Sequence, residues 1–445
     1  MQTIDWSNYL QKPYLCSCGR IHGCDIEEII IEEGAAKKLP EILGRHNYRH
    51  LCVVCDKHTW EIAAHAICKD LEEEGYTYHL VKYEEEELIP DEKAVFQLLA
   101  GVPEACDLII GVGSGTINDL CRYVSFKLKL DYYIVGTAPS MDGYASNVSP
   151  LIINHVKTTY EAHTAKVIIG DLDFMAKAPM SMIAAGVGDI IGKYVCLTDW
   201  QLAHMINGEY YCPEVADLVR KSIQKVADNA QKAAKRDKEA IAAIMEGLVL
   251  SGIAMSYIGN SRPASGSEHH MSHYWEMMFL LAEQPDPLHG TKVGISTAVT
   301  IRFYEWLDAL GEELFSKQRP SFDFEIWKKE IEEAYGPAAP GVIALEKAIG
   351  KNTEREVERR KTILKETYEE IKKVIKELPS SQEVIDLLKS MDAPYTPEQI
   401  GVSKETFKKG IFYAKDLRNR FGLLQILYDF DLQETFTERF LREIY

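Results

Sequence analysis

Residues 107–119, Asp107-Leu-Ile-Ile-Gly-Val-Gly113-Ser-Gly115-Thr-Ile-Asn-Asp119, join a predicted strand to a predicted helix through a glycine-rich turn. The apolar run before the glycines is typical of a strand buried on both faces. Glycines in such a turn let main-chain N–H groups approach a pyrophosphate, whose charge the helix N-terminus favours. The spacing is GxGxG rather than GxGxxG, so a tight turn without a ligand stays an alternative interpretation.

Strands and helices alternate on both sides of this turn, over about 170 residues in all. Such alternation predicts a parallel, doubly wound α/β sheet. The predicted strands are 25–33, 50–55, 77–83, 107–113, 132–135 and 167–170, and the predicted helices open at Gly34, run through Ala63 to Glu74, and cover 91–100 and 118–128.

Helical periodicity dominates after Asp173, which predicts an α/β domain over residues 1–170 and an all-helical domain over 171–445. The stretch 345–378 is rich in Glu/Lys pairs at i,i+4 spacing and predicts one or two exposed helices. The other predicted helices are 181–201, 214–233, 238–257, 269–281, 294–310, 382–391, 403–420 and 435–445.

Composition narrows the class of protein. The 445 residues are 46% hydrophobic and carry a formal charge of −18, which is ordinary for a globular chain and opposes binding to nucleic acid or an anionic membrane. The N-terminus lacks a basic region followed by an apolar one, and no apolar run reaches membrane length. We therefore expect a cytoplasmic protein, in which any anionic substrate needs a local cationic pocket.

Ten cysteines in so long a chain do not indicate a disulfide scaffold. Cys52 and Cys55 lie in a buried strand pattern, where free cysteines act as small apolar side chains. The segment Cys16-Ser-Cys18-Gly-Arg-Ile-His22-Gly-Cys24 offers ligands for zinc, although they are crowded for a zinc finger. A loop or hairpin without metal is the interpretation favoured by that crowding.

Two further signals follow strand ends. Asp56 ends the second predicted strand and could accept a ribose hydroxyl of a dinucleotide, although a helix cap is an equal alternative. Residues 136–146 follow the strand at 132–135 and are dense in small hydroxyls around Asp142. They could bind a ligand at the carboxyl end of the sheet or form a network of polar turns.

Three residues form a candidate metal-ligand set. His269 and His273 are four residues apart, so on a helix both imidazoles share one face. Asp189 lies between glycines, and His289 follows a Pro-Asp-Pro turn. One carboxylate with two imidazoles suits a divalent metal and leaves room for substrate. A helix-capping Asp189 and a core His269 are the structural alternatives.

The order of the motifs carries a family resemblance. The motifs are GVGSGTIND at 111–119, TAPSMDGYAS at 137–146, AGVGDIIGK at 185–193, SGSEHHMSH at 265–273 and HG at 289–290. In this order they resemble the superfamily of iron-containing alcohol dehydrogenases and dehydroquinate synthases. Within it they are most similar to the bacterial branch of the sn-glycerol-1-phosphate dehydrogenase family.

The resemblance implies a dinucleotide-binding domain followed by a helical domain, as in dehydroquinate synthases. It implies that Asp189, His269 and His289 bind zinc, nickel or iron, that Asp142 and His273 are catalytic, and that Asp142, Asp189 and His273 contact substrate. His270 would face about 100° away from the ligand face of the helix. The implied NAD(P) residues are Gly113, Ser114, Gly115, Thr116, Ile117, Asn118, Asp119, Thr137, Ala138, Pro139, Ser140 and Ser146.

The implied reaction is reduction of dihydroxyacetone phosphate to sn-glycerol 1-phosphate by NAD(P)H. A homodimer is expected in addition, without a motif that specifies it. A carboxylate at Asp56 would favour NAD over NADP, because it would repel a 2′-phosphate. Arg262, Lys193 and Lys292 are the cations nearest the motifs and are candidates for binding the phosphate. A glycerol dehydrogenase, a dehydroquinate synthase-like lyase and a non-enzymatic NAD- or metal-binding regulator are the alternatives.

Overall fold

A computed structural model of the chain describes residues 4–10, 13–153 and 156–444. Its residues form two compact units, one from Met1–Ile190 with Asp217–Ser261 and the other from Ile191–Ala216 with Arg262–Tyr445. Residues 1–3, at the start of the N-terminal stretch in which no signal is expected, and Tyr445, the end of the last predicted helix, lie outside the described residues.

All strands of the described chain lie in the first unit. They are Tyr14–Leu15 (β1), Ile21–His22 (β2), Glu28–Glu32 (β3), His50–Asp56 (β4), Thr77–Tyr83 (β5), Leu108–Gly113 (β6), Asp131–Gly136 (β7), Val148–Ile153 (β8), Val156–Glu161 (β9) and Val167–Asp171 (β10). Six of them form one sheet in the order β3-β10-β7-β6-β4-β5, and every neighbouring pair is parallel. The predicted parallel α/β sheet is confirmed.

The strand order reverses between β4 and β6. From β4 the chain crosses to β5 at one edge, and from β6 it continues through β7 to β10 in the other direction. In open parallel sheets, ligands bind beyond the carboxyl ends of the strands at such a switch point. Asp56 and Gly113 are the last residues of the two strands concerned.

Burial on both faces explains why β6 is so apolar. All six of its residues are buried, and Leu108, Ile110 and Val112 belong to the core cluster on one face of the sheet. The CxxC pair in β4 is confirmed as core packing, since both thiols are fully buried. Burial raises the pKa of Cys52 and of Cys55 to about 12, so neither is a reactive thiolate at neutral pH.

Two antiparallel hairpins accompany the sheet. β8 and β9 form a hairpin that was not expected from the sequence. Pro150 lies inside β8 and weakens the sequence signal, because proline cannot donate to a strand ladder. β1 and β2 also pair antiparallel, so the first part of the cysteine segment forms a hairpin.

Helices cover most of the remaining chain. They are Leu39–His46 (α1), Lys57–Thr59 (α2), His65–Glu73 (α3), Glu92–Gly101 (α4), Gly115–Leu128 (α5), Leu172–Met175 (α6), Met180–Ile191 (α7), Lys193–Asn207 (α8), Pro213–Ala233 (α9), Lys238–Ile258 (α10), Ser267–Leu281 (α11), His289–Leu310 (α12), Phe324–Tyr335 (α13), Ala339–Ile349 (α14), Glu354–Glu366 (α15), Tyr368–Ile375 (α16), Ser381–Ser390 (α17), Lys404–Tyr413 (α18), Leu423–Asp429 (α19) and Gln433–Ile444 (α20).

The charged stretch 345–378 differs from its prediction. Instead of one or two exposed helices it contains the end of α14 and all of α15 and α16. Gly350 ends α14 in the left-handed conformation, with φ of 61°. Val357, Leu364 and Ile371 are buried, so each helix keeps an apolar stripe beneath its charged face. Charged residues outnumber the apolar ones in these helices, so the apolar stripe is not evident from the sequence.

Two segments are apolar and long enough to cross a membrane by length and hydropathy alone, Met180–Asn207 and Lys238–Ile258. Within the protein, 78% of the first apolar window and 83% of the second are buried. Such burial identifies them as core helices, because a folded core provides the same apolar surroundings as lipid.

Candidate metal centre and active site

Three histidines of the second unit converge. His269 and His273 lie one turn apart on α11, with ring centroids 5.9 Å apart. His289 is the first residue of α12, which packs along α11, and its ring is 5.3 Å from that of His269 and 5.5 Å from that of His273. His269 and His289 each present a ligand nitrogen within 4.8 Å of the other.

A buried carboxylate orients the first of these rings. Nδ1 of His269 lies 2.6 Å from Oε1 of Glu268, which is fully buried and also accepts the main-chain N–H of Gly266. A carboxylate partner holds the imidazole proton on Nδ1 and the lone pair on Nε2, the nitrogen that a metal would take. This pairing is the arrangement usual for histidines that bind metals, so the residues present fit a divalent cation.

Burial keeps His273 neutral. Removal from water lowers its pKa well below the ordinary value, the carboxylate of Glu276 opposes the shift, and His289 and Arg418 add to it. A neutral imidazole both donates and accepts a hydrogen bond, which suits contact with a hydroxyl or a carbonyl oxygen. Ligand atoms of His273, Glu276 and His289 also lie within 4.8 Å of one another.

The first unit contributes two linked carboxylates. Asp189, near the end of α7, is fully buried and accepts the main-chain N–H of Asp142 at 2.9 Å. Oδ2 of Asp142 in turn accepts the hydroxyl of Ser251 at 2.9 Å. A candidate metal ligand and a candidate substrate residue, distant in sequence, are therefore held in one hydrogen-bonded chain.

Gly186 explains why α7 can come so close to the loop before Asp142. A Cβ atom at this position would lie 2.0 Å from the carbonyl oxygen of Pro139, closer than any non-bonded contact allows. Gly186 is three residues before Asp189 on the same helix. The first glycine of the AGVGD motif, Gly186, is therefore required for the close packing that positions the Asp189 carboxylate.

The two predicted cofactor loops lie side by side. The last residues of β6 and β7, Gly113 and Gly136, are paired across the sheet, and Ser114 Oγ is 2.6 Å from Ser140 Oγ. The N–H of Thr137 donates to the carbonyl of Gly113 at 3.0 Å. Helix α5 begins at Gly115, three residues before the predicted start, and the Ser114 side chain does not cap it. The start of α5 therefore has no side-chain cap from Ser114, as an anion site at a helix N-terminus would need.

Other residues predicted to bind the cofactor make structural contacts within the protein. Asp56 forms a reciprocal capping box with Thr59 at the start of α2. The side chain of Ile117 is buried against Gly113, so only its main chain could meet a cofactor. Asn118 donates to the carbonyl of Gly143, and Ser146 bonds to the main chain of Val148.

Asp119 is engaged in a buried ion pair. Its Oδ1 lies 2.7 Å from Nη1 of the fully buried Arg122, which also donates to Tyr132 and to the carbonyls of Val148 and Gly143. Burial raises the pKa of Asp119 to about 6, although the charge of Arg122 opposes the rise. The pair fastens α5 to β7 and to the loop after it.

The cations nearest the motifs have other partners. Arg262 is paired with Glu209 at 2.8 Å and donates to the carbonyls of Asp199 and Phe421. Lys292 is paired with Asp286 and, at 3.4 Å, with Glu276. Both charges are compensated, because proximity along the chain does not report which carboxylate a long side chain reaches. Lys193 is fully buried.

Arg418 and Arg420 are the basic residues that the sequence reasoning missed. Burial lowers the pKa of Arg418, and it lowers that of Arg420 to about 9. Within the described residues no carboxylate pairs with Arg418, and its charge lowers the pKa of both His270 and His273. Nε2 of His270 is buried without a hydrogen-bond partner in the same part of the chain. A half-buried guanidinium without a carboxylate partner in the described residues is suited to an anion.

Known proteins resemble this chain in sequence and in fold. The model of the iron-containing alcohol dehydrogenase family matches residues 30–179. Glycerol-1-phosphate dehydrogenase [NAD(P)+] of Geobacillus thermodenitrificans is 34% identical over 97% of this chain and 99% of its own length, and that of Geobacillus stearothermophilus is 34% identical over 93% and 95%. The crystal structure of glycerol dehydrogenase from Schizosaccharomyces pombe superposes with a TM-score of 0.61 at 15% identity, covering 94% of this chain and 91% of that one.

Proposed function

Since this chain belongs to the glycerol-1-phosphate dehydrogenase family, we propose that it reduces dihydroxyacetone phosphate to sn-glycerol 1-phosphate with NAD(P)H. The observation that carries the proposal is the triangle of His269, His273 and His289. The carboxylate of Glu268 is hydrogen-bonded to His269, and Arg418 is near enough for its charge to lower the pKa of His273. The triangle offers metal ligands and a substrate imidazole in one buried place, and the arginine offers a charge for phosphate.

Asp189, His269 and His289 would hold one divalent metal, zinc, nickel or iron, as the ligand set of the resemblance implies. Such an ion supplies Lewis acidity toward a carbonyl oxygen on which negative charge develops during hydride transfer. Glu268 keeps the His269 ring in the tautomer that can act as ligand. Gly186 lets α7 carry Asp189 to the position from which it accepts the N–H of Asp142.

The main-chain N–H groups at the start of α5, from Gly115 onward, would bind the pyrophosphate of the cofactor. Thr137 to Ser140 and Ser146 would line the same side of the sheet, beyond the carboxyl ends of β6 and β7. Asp56 ends β4 at the switch point and would face the ribose, which favours NAD over NADP.

Asp142 and His273 would contact the triose. Asp142 is held by Ser251 through one carboxylate oxygen, which fixes the direction in which it can accept a substrate hydroxyl. His273, kept neutral by burial, can donate a hydrogen bond to the carbonyl oxygen and pass on a proton as the alcohol forms.

Arg418 would bind the phosphate of the substrate, together with His270. A half-buried guanidinium, to which no carboxylate of the described residues is paired, would be matched by a dianion in both charge and geometry. This residue is what separates the proposed activity from that of a glycerol dehydrogenase, whose triol substrate carries no charge for Arg418 to bind.

The experiment is an NADH-oxidation assay on protein freed of metal with a chelator and then given Zn²⁺, Ni²⁺ or Fe²⁺. We expect turnover of dihydroxyacetone phosphate to require metal and to exceed that of dihydroxyacetone by orders of magnitude. The Asp189→Asn protein should bind NADH, retain no catalytic metal and be inactive. Undiminished turnover by Asp189→Asn would contradict the metal site, and equal rates on both ketones would contradict the phosphate preference.

A cytoplasmic location and a homodimer are also part of the proposal. A candidate contact surface is the exposed apolar set of Ile89, Phe96 and Leu99, the last two on one face of α4. Light scattering on the intact protein should give twice the chain mass, and Phe96→Ser should lower it toward one chain. A monomeric wild-type protein would contradict the dimer.

A further inference from the structure

The N-terminal cysteine segment holds metal ligands in close proximity, away from the residues assigned to the reaction. Cys16, Cys18 and His22 each present a ligand atom within 4.8 Å of the others. We propose that these residues form a second, structural zinc site. Zn²⁺ prefers thiolate and imidazole donors, and the hairpin supplies two thiolates and one imidazole.

The distance between two donors is close to what an ion would impose. Sγ of Cys18 lies 3.3 Å from Nε2 of His22. A tetrahedral zinc with ordinary Zn–S and Zn–N bond lengths separates a sulfur from a nitrogen by about 3.6 Å. A small adjustment therefore admits the ion between them.

The histidine is oriented for coordination. Nδ1 of His22 is 2.8 Å from the carbonyl oxygen of Tyr257, an acceptor, so the proton lies on Nδ1 and the lone pair on Nε2. The imidazole of His22 also stacks on the phenol ring of Tyr257, with ring centroids 5.7 Å apart and an angle of 10° between the ring planes. A carbonyl behind a metal-binding histidine is a usual outer partner, and here it selects the nitrogen that faces Cys18.

The backbone brings the two cysteines to the same turn. The N–H of Cys16 donates to the carbonyl of Arg20, and the N–H of Gly19 donates to the carbonyl of Cys16. Gly19 has φ of 84°, a conformation that glycine adopts without strain. β1 and β2 on either side of this turn hold Cys16, Cys18 and His22 at one end of a hairpin.

Cys24 belongs to the same sequence motif but is not one of the ligands. Its thiol donates to the carbonyl of Tyr9, so it points elsewhere. The thiols of Cys106 and Cys196 bond to main-chain carbonyls, and those of Cys52, Cys55, Cys68 and Cys121 are buried in the core. The hairpin therefore supplies three ligands, Cys16, Cys18 and His22.

The site would fasten the N-terminal hairpin to the long core helix α10. His22 contacts the last turn of α10 through Tyr257, whose hydroxyl donates to the carbonyl of Tyr9. The same helix carries Ser251, the partner of Asp142. Metal at the hairpin therefore stabilises a helix that supports the substrate carboxylate, without taking part in the reaction.

Sulfur ligation separates this site from the proposed catalytic metal, whose ligands contain no sulfur. We expect the protein purified from zinc-supplemented cells to contain two metal equivalents per chain, and Asp189→Asn to lose one. X-ray absorption at the zinc edge should show sulfur neighbours in Asp189→Asn. After replacement by Co²⁺, both proteins should show sulfur-to-cobalt charge-transfer absorption in the near ultraviolet.

Two variants identify the ligands. Cys18→Ser should lose the charge-transfer absorption and one metal equivalent, and Cys16→Ser should do the same. Cys24→Ser, altered in the same segment, should keep both. A wild-type protein without sulfur scattering or cobalt–sulfur absorption would overturn the proposal, even if the variants fail to fold. Loss of the signal in Cys24→Ser but not in Cys16→Ser would overturn the assignment of Cys16 as a ligand.

Discussion

The main-chain N–H of Asp142 donates a 2.9 Å hydrogen bond to the carboxylate of Asp189. The two residues come from different motifs, one in the loop after β7 and the other near the end of α7. Because Asp142 also accepts from Ser251, movement of either carboxylate is transmitted to the other. Under the proposed function, this hydrogen-bonded chain would link metal binding at Asp189 to substrate orientation by Asp142.

Ser251→Ala should impair the reaction without affecting the cofactor. Its hydroxyl holds one oxygen of Asp142, and loss of a hydrogen bond to a charged group costs about 1.5–3 kcal/mol. We expect kcat/KM for dihydroxyacetone phosphate to fall by at least tenfold, with the NADH Kd unchanged. Ser256→Ala, on the same helix but bonded to the carbonyl of Ala145, is the control and should retain most activity. Equal losses in both variants would contradict the role of Ser251.

Glu268→Gln should lower the affinity of the proposed catalytic site for its metal. A neutral amide holds the His269 ring less firmly, and the loss of such outer partners typically lowers metal affinity by 10–100-fold. The measurement is competition with a chelator at fixed free zinc, and activity should return at high metal concentration. Unchanged metal affinity would show that the Glu268 carboxylate does not support His269 as a metal ligand.

Arg418→Ala should raise KM for dihydroxyacetone phosphate by at least tenfold and leave the slow reaction with dihydroxyacetone unchanged. The arginine is half-buried and its charge is not matched by a carboxylate in the described chain, so under the proposed function its removal should weaken phosphate binding alone. Arg418→Lys should recover part of the loss. Arg439→Ala, which removes an exposed guanidinium from the face of Trp306, is the control. A loss that is equal for both ketones would argue against phosphate recognition.

Asp199 should give a pH dependence to the stability of the second unit. Burial first, and then the charge of Glu268, raise its pKa to about 6, from an ordinary value near 3.9. Between about pH 4 and pH 6 the unfolded carboxyl ionises while the folded one keeps its proton, so folding stability falls as the pH rises. Above this window the effect is constant.

Urea unfolding of the wild type and of Asp199→Asn, measured from pH 4 to pH 7, tests this sign. The free energy of unfolding of the wild type relative to the variant should decrease across the window and then level off. Asp199 accepts bonds from Ser267 and from the N–H of Leu423, so the variant should be less stable throughout. A difference that grows with pH would mean that the folded pKa is lowered.

Gly186→Ala should destabilise the protein and release metal. The added methyl would meet the carbonyl of Pro139, and overpacking of this kind costs about 1–3 kcal/mol. Gly341→Ala, in the first turn of α14 with open space around it, is the matched control. It should be neutral or stabilise by up to about 1 kcal/mol. Thermal unfolding and metal content measure both, and a Gly186→Ala protein that keeps its metal and its Tm would contradict the packing argument.

Patterns with a short physical range were predictable from the sequence. Burial on both faces makes β6 continuously apolar, and the i,i+4 spacing places His269 and His273 on one side of α11. The boundaries of β5 and α4 followed from the same periodicity. The charged helices near residue 350 were misjudged because an apolar stripe is masked where charges outnumber it.

Long-range partners were not predictable. Arg262 and Lys292 lie beside the motifs but are compensated by carboxylates, whereas Arg418 lies far along the chain and has none in the described residues. Nor does spacing tell that Cys24 turns toward Tyr9 while Cys18 meets His22. Side chains of this length find partners through the folded backbone, whose direction at each residue depends on all of its neighbours.

By itself the sequence determined the class of fold, the order of its motifs and the types of side chain available for metal and cofactor, because these depend on periodicity and on local chemistry. Only the tertiary structure decided which of those side chains form caps or ion pairs, as Asp56 and Arg262 do, and which have no oppositely charged partner in the described residues, as is the case for Arg418. That difference is one of solvation: whether a group is paired or exposed is a property of its surroundings in space, and the linear chain does not contain them.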